Sequence, residues 1–273
     1  MKNLNTFDIF LHLCYNFNTI YMGSDSVNEE KINRLAQLIN DSQKTVFFGG
    51  AGVSTESGVK DYRSEDGLYN TVREYGVSPE TILSHSFFVS NPETFYDFYY
   101  KYFLEINVLP NTAHRVLAEM EEKGKLSSVI TQNIDGLHQK AGSKNVLELH
   151  GTTDVHYCME CGKPYPLDKL KALKGKVPHC EKCGGLVRPE VVLYEEPLNE
   201  DTVEKAIGEI SAAKLLIIGG TSLAVYPAAM YVRYFRGSHI VLINKGKTDL
   251  DSNADLVFRD SIGQVLGSIE NKI

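Results

Sequence analysis

Five short apolar runs, each breaking off into glycine or a polar residue, limit what this 273-residue chain can fold into. Thr45-Val46-Phe47-Phe48 passes into Gly49-Gly50-Ala51-Gly52-Val53-Ser54, and Leu215-Leu216-Ile217-Ile218 passes into Gly219-Gly220-Thr221-Ser222. Ser128-Val129-Ile130 delivers Thr131-Gln132-Asn133-Ile134-Asp135, Val146-Leu147-Glu148-Leu149 ends at His150, and Ile240-Val241-Leu242-Ile243 ends at Asn244. Runs this apolar, without alternation, read as strands buried on both faces of a parallel sheet. Helical patterns lie before and between them, among others at about 27–40 and 112–122. The predicted class is therefore α/β, with a Rossmann-like doubly wound parallel sheet. In such sheets polar residues just past the strand ends face the ligand crevice, so residues 50–54, 132–135, 150, 221–222 and 244 are expected to converge.

The first of these turns has the strand, glycine turn and helix order of a phosphate-binding loop. Its glycines let backbone approach a pyrophosphate, and a following helix N-terminus offers free N–H groups. The match to G-x-G-x-x-G is imperfect, because Thr55 stands where the third glycine belongs. A tight turn with no ligand would use the same glycines, so this loop alone leaves both readings open.

Cys158, Cys161, Cys180 and Cys183 form C-x₂-C and C-x₂-C pairs with 18 residues between them. Two thiolates three apart share one ion across a tight turn, and two such turns complete a tetrahedron. The spacing predicts a zinc ribbon. Four thiolates leave no open coordination position, so one structural Zn²⁺ is expected and not a catalytic one. Two disulfides would suit a small secreted scaffold better than a chain of this kind. Cys14 has no partner and reads as a free thiol.

The remaining composition bounds the partners. A net charge of −7, from 28 basic and 35 acidic residues, lacks the basic footprint of a nucleic-acid binder. No membrane span or cleavable leader is recognisable: the apolar stretch 7–21 is interrupted by Asp8, His12, Asn16 and Asn18, too short and too polar to span. A cytoplasmic, monomeric protein is expected, with residues 1–26 as an N-terminal appendage and translation beginning in earnest at Met22. Phe87, Phe88, Phe95, Tyr96, Phe98, Tyr99, Tyr100, Tyr102 and Phe103 recur at helical spacing and read as the core of a helical insertion.

Taken in order, these segments resemble the sirtuins, NAD-dependent protein-lysine deacylases. The resemblance runs over about residues 28–265: GAGVSTESG at 50–58, DYR at 61–63, TQNIDGLH at 131–138, HG at 150–151, the four cysteines, RPEVVLYEE at 188–196, GTSLAVYPAA at 220–229 and IN at 243–244. It implies a Rossmann-like NAD-binding domain of residues 27–61, 111–155 and 187–273, with a smaller domain. That smaller domain would comprise a cofactor loop and helical module at 62–110 and a zinc-ribbon module at 156–186.

The resemblance also implies roles. NAD, a co-substrate, would lie on Gly50, Ala51, Gly52, Ser54, Gly220, Thr221 and Ser222, with Asn244 at the adenosine ribose. Asp61, Tyr62, Arg63 and Gln132 would brace it, and Ile134 and Asp135 would hold the nicotinamide. The acyl-lysine carbonyl would attack the ribose carbon freed of nicotinamide. His150 would be the general base, a task suited to a group that titrates near neutrality, with Asn133 positioning water or the ribose. Val192, Leu193, Tyr194 and Glu195 would pair with the backbone of an acetyl-lysine peptide or protein. The products would be free lysine, nicotinamide and O-acyl-ADP-ribose.

Four positions depart from the sirtuin pattern. Lys60 replaces a usual proline and Tyr62 a phenylalanine, both bearing on NAD affinity. Glu195 replaces a usual glycine, an added carboxylate that would favour basic flanks in the peptide. Tyr96 matches the tyrosine of the Tyr-x-x-Arg pair that binds acidic acyl groups, but Tyr99 stands in place of the arginine, so neutral short acyl groups are expected. Rival readings are mono-ADP-ribosyl transfer from NAD to a protein side chain, a nicotinamide oxidoreductase, and a non-catalytic NAD or acyl-lysine binding module.

Overall fold

The computed structural model describes residues 28–60, 72–105 and 107–273, and within them nine strands form two sheets. The large sheet has strands β1 (Thr45–Gly49), β2 (Ser128–Thr131), β3 (Val146–Glu148), β7 (Leu215–Gly219), β8 (His239–Ile243) and β9 (Leu256–Phe258). Their order is β3-β2-β1-β7-β8-β9, and every neighbouring pair is parallel. The chain winds outward from β1 in one direction and from β7 in the other, so the topological switch point lies between those two strands.

Alternation along each strand sends residues to opposite faces. Phe47, Val129, Ile217 and Val241 pack on one face under helices α1 (Glu29–Asp41) and α4 (Thr112–Glu122). Val46, Phe48, Ile130, Leu216 and Leu242 pack on the other with Ala206 and Ile210 of helix α6 (Glu200–Ala212). Two apolar faces are what made the strands read as unbroken apolar runs. Helix α1 starts at Glu29, not at 27, because the Asn28 side chain accepts from the Lys31 N–H at 3.0 Å as its N-cap.

The glycine turn after β1 is not followed by the expected helix. Two 3₁₀ turns, Ala51–Val53 and Thr55–Ser57, stand there instead, ended by Gly58 at φ 91°. Thr55 Oγ1 donates to the Gly52 carbonyl at 3.0 Å, a local bond that competes with α-helical pairing.

The smaller unit joins an antiparallel sheet, β4 (Gly151–Cys158), β5 (Pro164–Pro166) and β6 (Val187–Val191), to a helical stretch. That stretch includes α2 (His85–Ser90) and α3 (Pro92–Tyr99), which runs on into a π-helical turn, Tyr100–Leu104. Six of the nine aromatics of the expected insertion are buried in its core with Cys158 and Cys180, and Phe87, Tyr102 and Phe103 pack against it. The small sheet begins at Gly151 and ends at Val191, so it straddles the expected module limits at 156 and 186. The extended stretch expected from Val191 to Tyr194 is instead the end of β6, followed by a single bridge between Tyr194 and Ser84. Among the described residues no helix is long and apolar enough to cross a membrane.

Candidate active site

The two glycine turns interlock at the switch point. The Gly52 N–H donates to the Gly220 carbonyl at 2.8 Å, and Gly220 N–H donates to the Ile243 carbonyl at 3.0 Å. A Cβ on Gly52 would lie 2.8 Å from Gly220 Cα; one on Gly220, at φ +60°, would lie 2.4 Å from Val53 N. These glycines are required first by the approach of one loop to the other. Over them opens a cavity of about 1030 Å³ reaching into the smaller unit.

The β1 and β7 turns contribute Ala51, Gly52, Ser54, Gly220, Thr221 and Ser222 to its wall, and β8 delivers Asn244. From the β2 end come Gln132, Asn133, Ile134 and Asp135, and from the β3 end His150. Gly50 lies behind the wall, its missing Cβ 2.9 Å from Thr221 Cβ, so it shapes the loop without bordering the cavity. Asp61, Tyr62 and Arg63 lie outside the described residues, as do residues 1–26 with Cys14. Lys60 borders the cavity.

Ser54, fully buried, organises the polar floor. Its hydroxyl donates to Asp135 Oδ2 at 2.7 Å and accepts from Asn133 Nδ2 at 3.0 Å. His114 Nε2 stands 3.4 Å away. Because the Asn111 N–H donates to His114 Nδ1 at 3.3 Å, the proton of the neutral ring sits on Nε2 and points at Ser54. Burial pulls His114 down to about 4, opposed by the charge of Asp135, so the ring is uncharged at neutral pH. Asp135 also accepts from the Leu137 N–H at 2.9 Å. Sequence reasoning missed His114, although Asn111 three residues before it, opening α4, is a readable capping box.

His150 is held by one bond. Its Nδ1 lies 2.8 Å from the Gln132 carbonyl oxygen, which only accepts, so Nδ1 carries the hydrogen and Nε2 keeps its lone pair. Burial moves its pKa below the ordinary histidine value, partly opposed by that hydrogen bond. Gln132 Nε2 is buried without a hydrogen-bond partner among the described residues.

Val192, Leu193, Tyr194 and Glu195 line the opposite wall. Glu195 adopts φ 77°, a left-handed conformation that explains why glycine suits this position. Its carboxylate accepts from Ser86 N–H and Ser86 Oγ, each at 2.9 Å. Both oxygens thus accept from Ser86 at the start of α2, while the residue stays exposed beside the cavity. The next residue, Glu196, binds Arg188 in bidentate fashion at 2.6 and 2.8 Å, and also accepts from the Leu193 N–H. Burial would raise its pKa, but these partners hold it at about 2. Tyr99 borders the cavity with its hydroxyl 3.1 Å from His156 Nε2, whereas Tyr96 turns away and donates to the Val187 carbonyl. Among the described residues no tyrosine–arginine pair for an acidic acyl group is formed.

The four cysteine sulfurs lie within 4.8 Å of one another. Cys158 and Cys183 are 3.5 Å apart, and Cys161 and Cys180 are 3.7 Å apart. Sulfurs about 2.3 Å from a tetrahedral zinc are separated by about 3.8 Å, so the cluster fits one Zn²⁺.

Fold and site define an α/β protein of the dinucleotide-binding class with a four-cysteine module attached. Residues 50–227 match the Sir2 family. The chain is 51% identical over 240 residues to an NAD-dependent protein deacetylase of Clostridium acetobutylicum, covering 88% of this chain and 98% of that one. It is 54% identical over 242 residues to a protein of the same description from Clostridium perfringens, covering 88% and 99%. A solved Sir2 structure with deacetylated p53 peptide and 3'-O-acetyl ADP-ribose superposes with a TM-score of 0.81 at 39% identity, covering 88% of this chain and 98% of that chain. One with p53 peptide and NAD⁺ gives 0.78 at 39% identity, covering 88% and 97%. The chain belongs to the Sir2 family.

Proposed function

We propose that this protein removes acetyl and other short neutral acyl groups from lysine side chains of proteins, consuming NAD and releasing nicotinamide, O-acyl-ADP-ribose and free lysine. The observation that carries the reading is the state of His150: fixed through Nδ1 by the Gln132 carbonyl, the ring keeps Nε2 unprotonated on a residue that lines the cavity together with Asn133. NAD supplies the electrophilic ribose carbon to which the acyl oxygen transfers. The chain's own residues bind, orient and take the proton. Gly52, Gly220, Thr221 and Ser222 supply a close-packed backbone cradle for the pyrophosphate, and Gln132 Nε2 an unused donor for a ribose oxygen. Asp135, oriented by Ser54 and the Leu137 N–H, would hold the nicotinamide amide with Ile134. Asn133, oriented by Ser54, would position the ribose or water. His150 Nε2 would accept a ribose hydroxyl proton, and its depressed pKa keeps it unprotonated at neutral pH. The apolar residues around Tyr99 favour an uncharged acyl group, since a carboxylate there would have no partner.

The four cysteines would hold one structural zinc, keeping β4 and β6 in register below the peptide wall. The division into a larger NAD-binding domain and a smaller zinc and helical domain is part of this reading, as are a monomeric state and cytoplasmic location. The transferase, oxidoreductase and binding-module readings gain no specific observation. The test is incubation with NAD and an acetyl-lysine peptide, followed by mass spectrometry, with His150→Ala alongside. Equal amounts of deacetylated peptide, nicotinamide and O-acetyl-ADP-ribose, lost in the variant, are expected. Nicotinamide release with the acetyl group retained would point to transfer or hydrolysis.

A further inference from the structure

The stretch after β6 is attached to the loop before α2 by backbone bonds on either side of Tyr194: its N–H donates to the Leu83 carbonyl at 3.0 Å, and its carbonyl accepts from His85 N–H at 3.0 Å. Arg188 and His85 then grip Glu196 beneath it. Between these anchors Glu195 is exposed, yet stands at φ 77°, where any residue but glycine is strained. A strained, exposed acidic residue is not explained by packing. What offsets the strain is the pair of bonds from its carboxylate to Ser86, in the first turn of α2, where free N–H groups favour an anion. The same side chain borders both the large cavity and a hydroxyl-lined recess of about 380 Å³ behind it.

We propose that Glu195 is a positioning residue for the peptide substrate: its carboxylate straps the 192–196 segment to helix α2, holding the backbone beside the cavity in its substrate-binding shape before the peptide arrives. Preorganisation of this kind shows as affinity, because less ordering is left to occur on binding. A glycine in its place would relax the backbone and free the segment. An alanine would keep the strain and lose the strap. A glutamine retains an oxygen for the Ser86 N–H and an amide that can donate to Ser86 Oγ.

The inference rests on the deacylase reading, and its test separates the two. Peptide KM and kcat are measured for the full chain and for Glu195→Gln, Glu195→Gly, Glu195→Ala and Ser86→Ala, with binding of a fluorescent acetyl-lysine peptide measured directly. The expected order of KM is wild type, then Gln, then Gly, then Ala, with Gly about threefold to tenfold above wild type and the loss falling on KM and not on kcat. Ser86→Ala, which leaves one of the two bonds, should fall between wild type and Gly. Hydrogen exchange of the 192–196 amides, read without substrate, should quicken in Gly and Ala. Slower exchange or unchanged exchange in Gly, or a Gly variant that binds peptide as tightly as wild type, overturns the strap. A wild type that turns over no NAD while Gly still exchanges faster overturns the deacylase reading and leaves the strap standing.

Discussion

Ser54 gives its single hydroxyl proton to Asp135 at 2.7 Å, and that bond decides how the rest of the site is arranged. With the proton committed, both lone pairs of Ser54 are left to accept, one from Asn133 Nδ2 and one from the Nε2 side of His114. One buried hydroxyl thereby orients the two residues proposed to hold the ribose and the nicotinamide. Replacing Ser54 with alanine would remove a partner from three polar groups, of which His114 is buried and Asn133 and Asp135 are half-buried. Each such group costs about 1–3 kcal/mol when left unsatisfied, with partial relief from neighbouring water. Ser54→Ala should lower stability by about 2 kcal/mol and reduce NAD-dependent turnover at least tenfold. Thermal unfolding and steady-state kinetics measure the two; full activity with lowered stability would remove Ser54 from the site.

The contact between Gly52 and Gly220 makes a second prediction. Alanine at 220 must adopt φ +60° and place its Cβ 2.4 Å from Val53 N. The left-handed conformation alone costs roughly 1–2 kcal/mol, and the clash with backbone adds to it. Gly220→Ala should fold less stably than wild type by more than about 2 kcal/mol and bind NAD more weakly, because the two turns must separate. Gly175→Ala is the control: its φ is +78°, but nothing lies within 4 Å of the added methyl, so it carries only the conformational part. Equal effects at the two positions would show that loop packing contributes nothing.

Much of this was legible in the sequence, for a stated physical reason. Strands buried on both faces must be apolar throughout, so β1, β7 and β8 announced themselves, and their polar terminal residues had to meet at the switch point. The cysteine pairs were legible because metal geometry fixes their spacing. What could not be read was the pairing of side chains across loops. Glu195 read as an added charge facing the substrate, yet its oxygens reach Ser86, 109 residues earlier in the chain. Arg188 and Glu196 form a partly buried pair eight residues apart across an irregular turn, a spacing with no period. The turns after Gly52 are likewise set across the chain, since Gly50 and Gly52 N–H donate to the Gly219 and Gly220 carbonyls.

Protonation of His150 should set the acid limb of activity. As the proposed base it must be neutral to act, and burial moves its pKa below the ordinary value, so kcat/KM should stay level down to a midpoint below about 6.5 and then fall tenfold per pH unit. His150→Ala should lower kcat by about 10²-fold or more. A limb centred above pH 7, or an unchanged limb in the residual activity of the alanine variant, would assign the titration to another group.

The four-cysteine cluster predicts one zinc per chain and a unit that depends on it. Cys158 is fully buried within the same core as Tyr96 and Phe95, so losing the metal would strand thiolates next to aromatic side chains. Elemental analysis should give a one-to-one ratio. Cys158→Ala or strong chelation should abolish deacylation and melt the smaller unit first, visible as loss of near-ultraviolet signal from its tyrosines. Retained activity after complete zinc removal would show that the ribbon holds its shape by packing alone.

Three other histidines make the fold sensitive to acid. Burial lowers His114 to about 4, His138 to about 3 and His156 to about 4. Neither ring nitrogen of His138 has a hydrogen-bond partner among the described residues. In the unfolded chain each titrates near 6.5. Below that pH the unfolded state therefore takes up protons that the folded state refuses, and stability rises with pH across the window from about 4 to 6.5. Each group contributes at most about 1.4 kcal/mol per pH unit there, and the three together up to about 4. The melting temperature should accordingly drop steeply between pH 6 and 5, within the few kcal/mol that separate a folded domain from its unfolded chain. In His138→Met, compared with wild type carrying the same zinc, that slope should be measurably shallower. An identical slope in the two proteins would show that His138 is protonated in the folded state, with a water or a moved side chain supplying the partner its ring nitrogens lack.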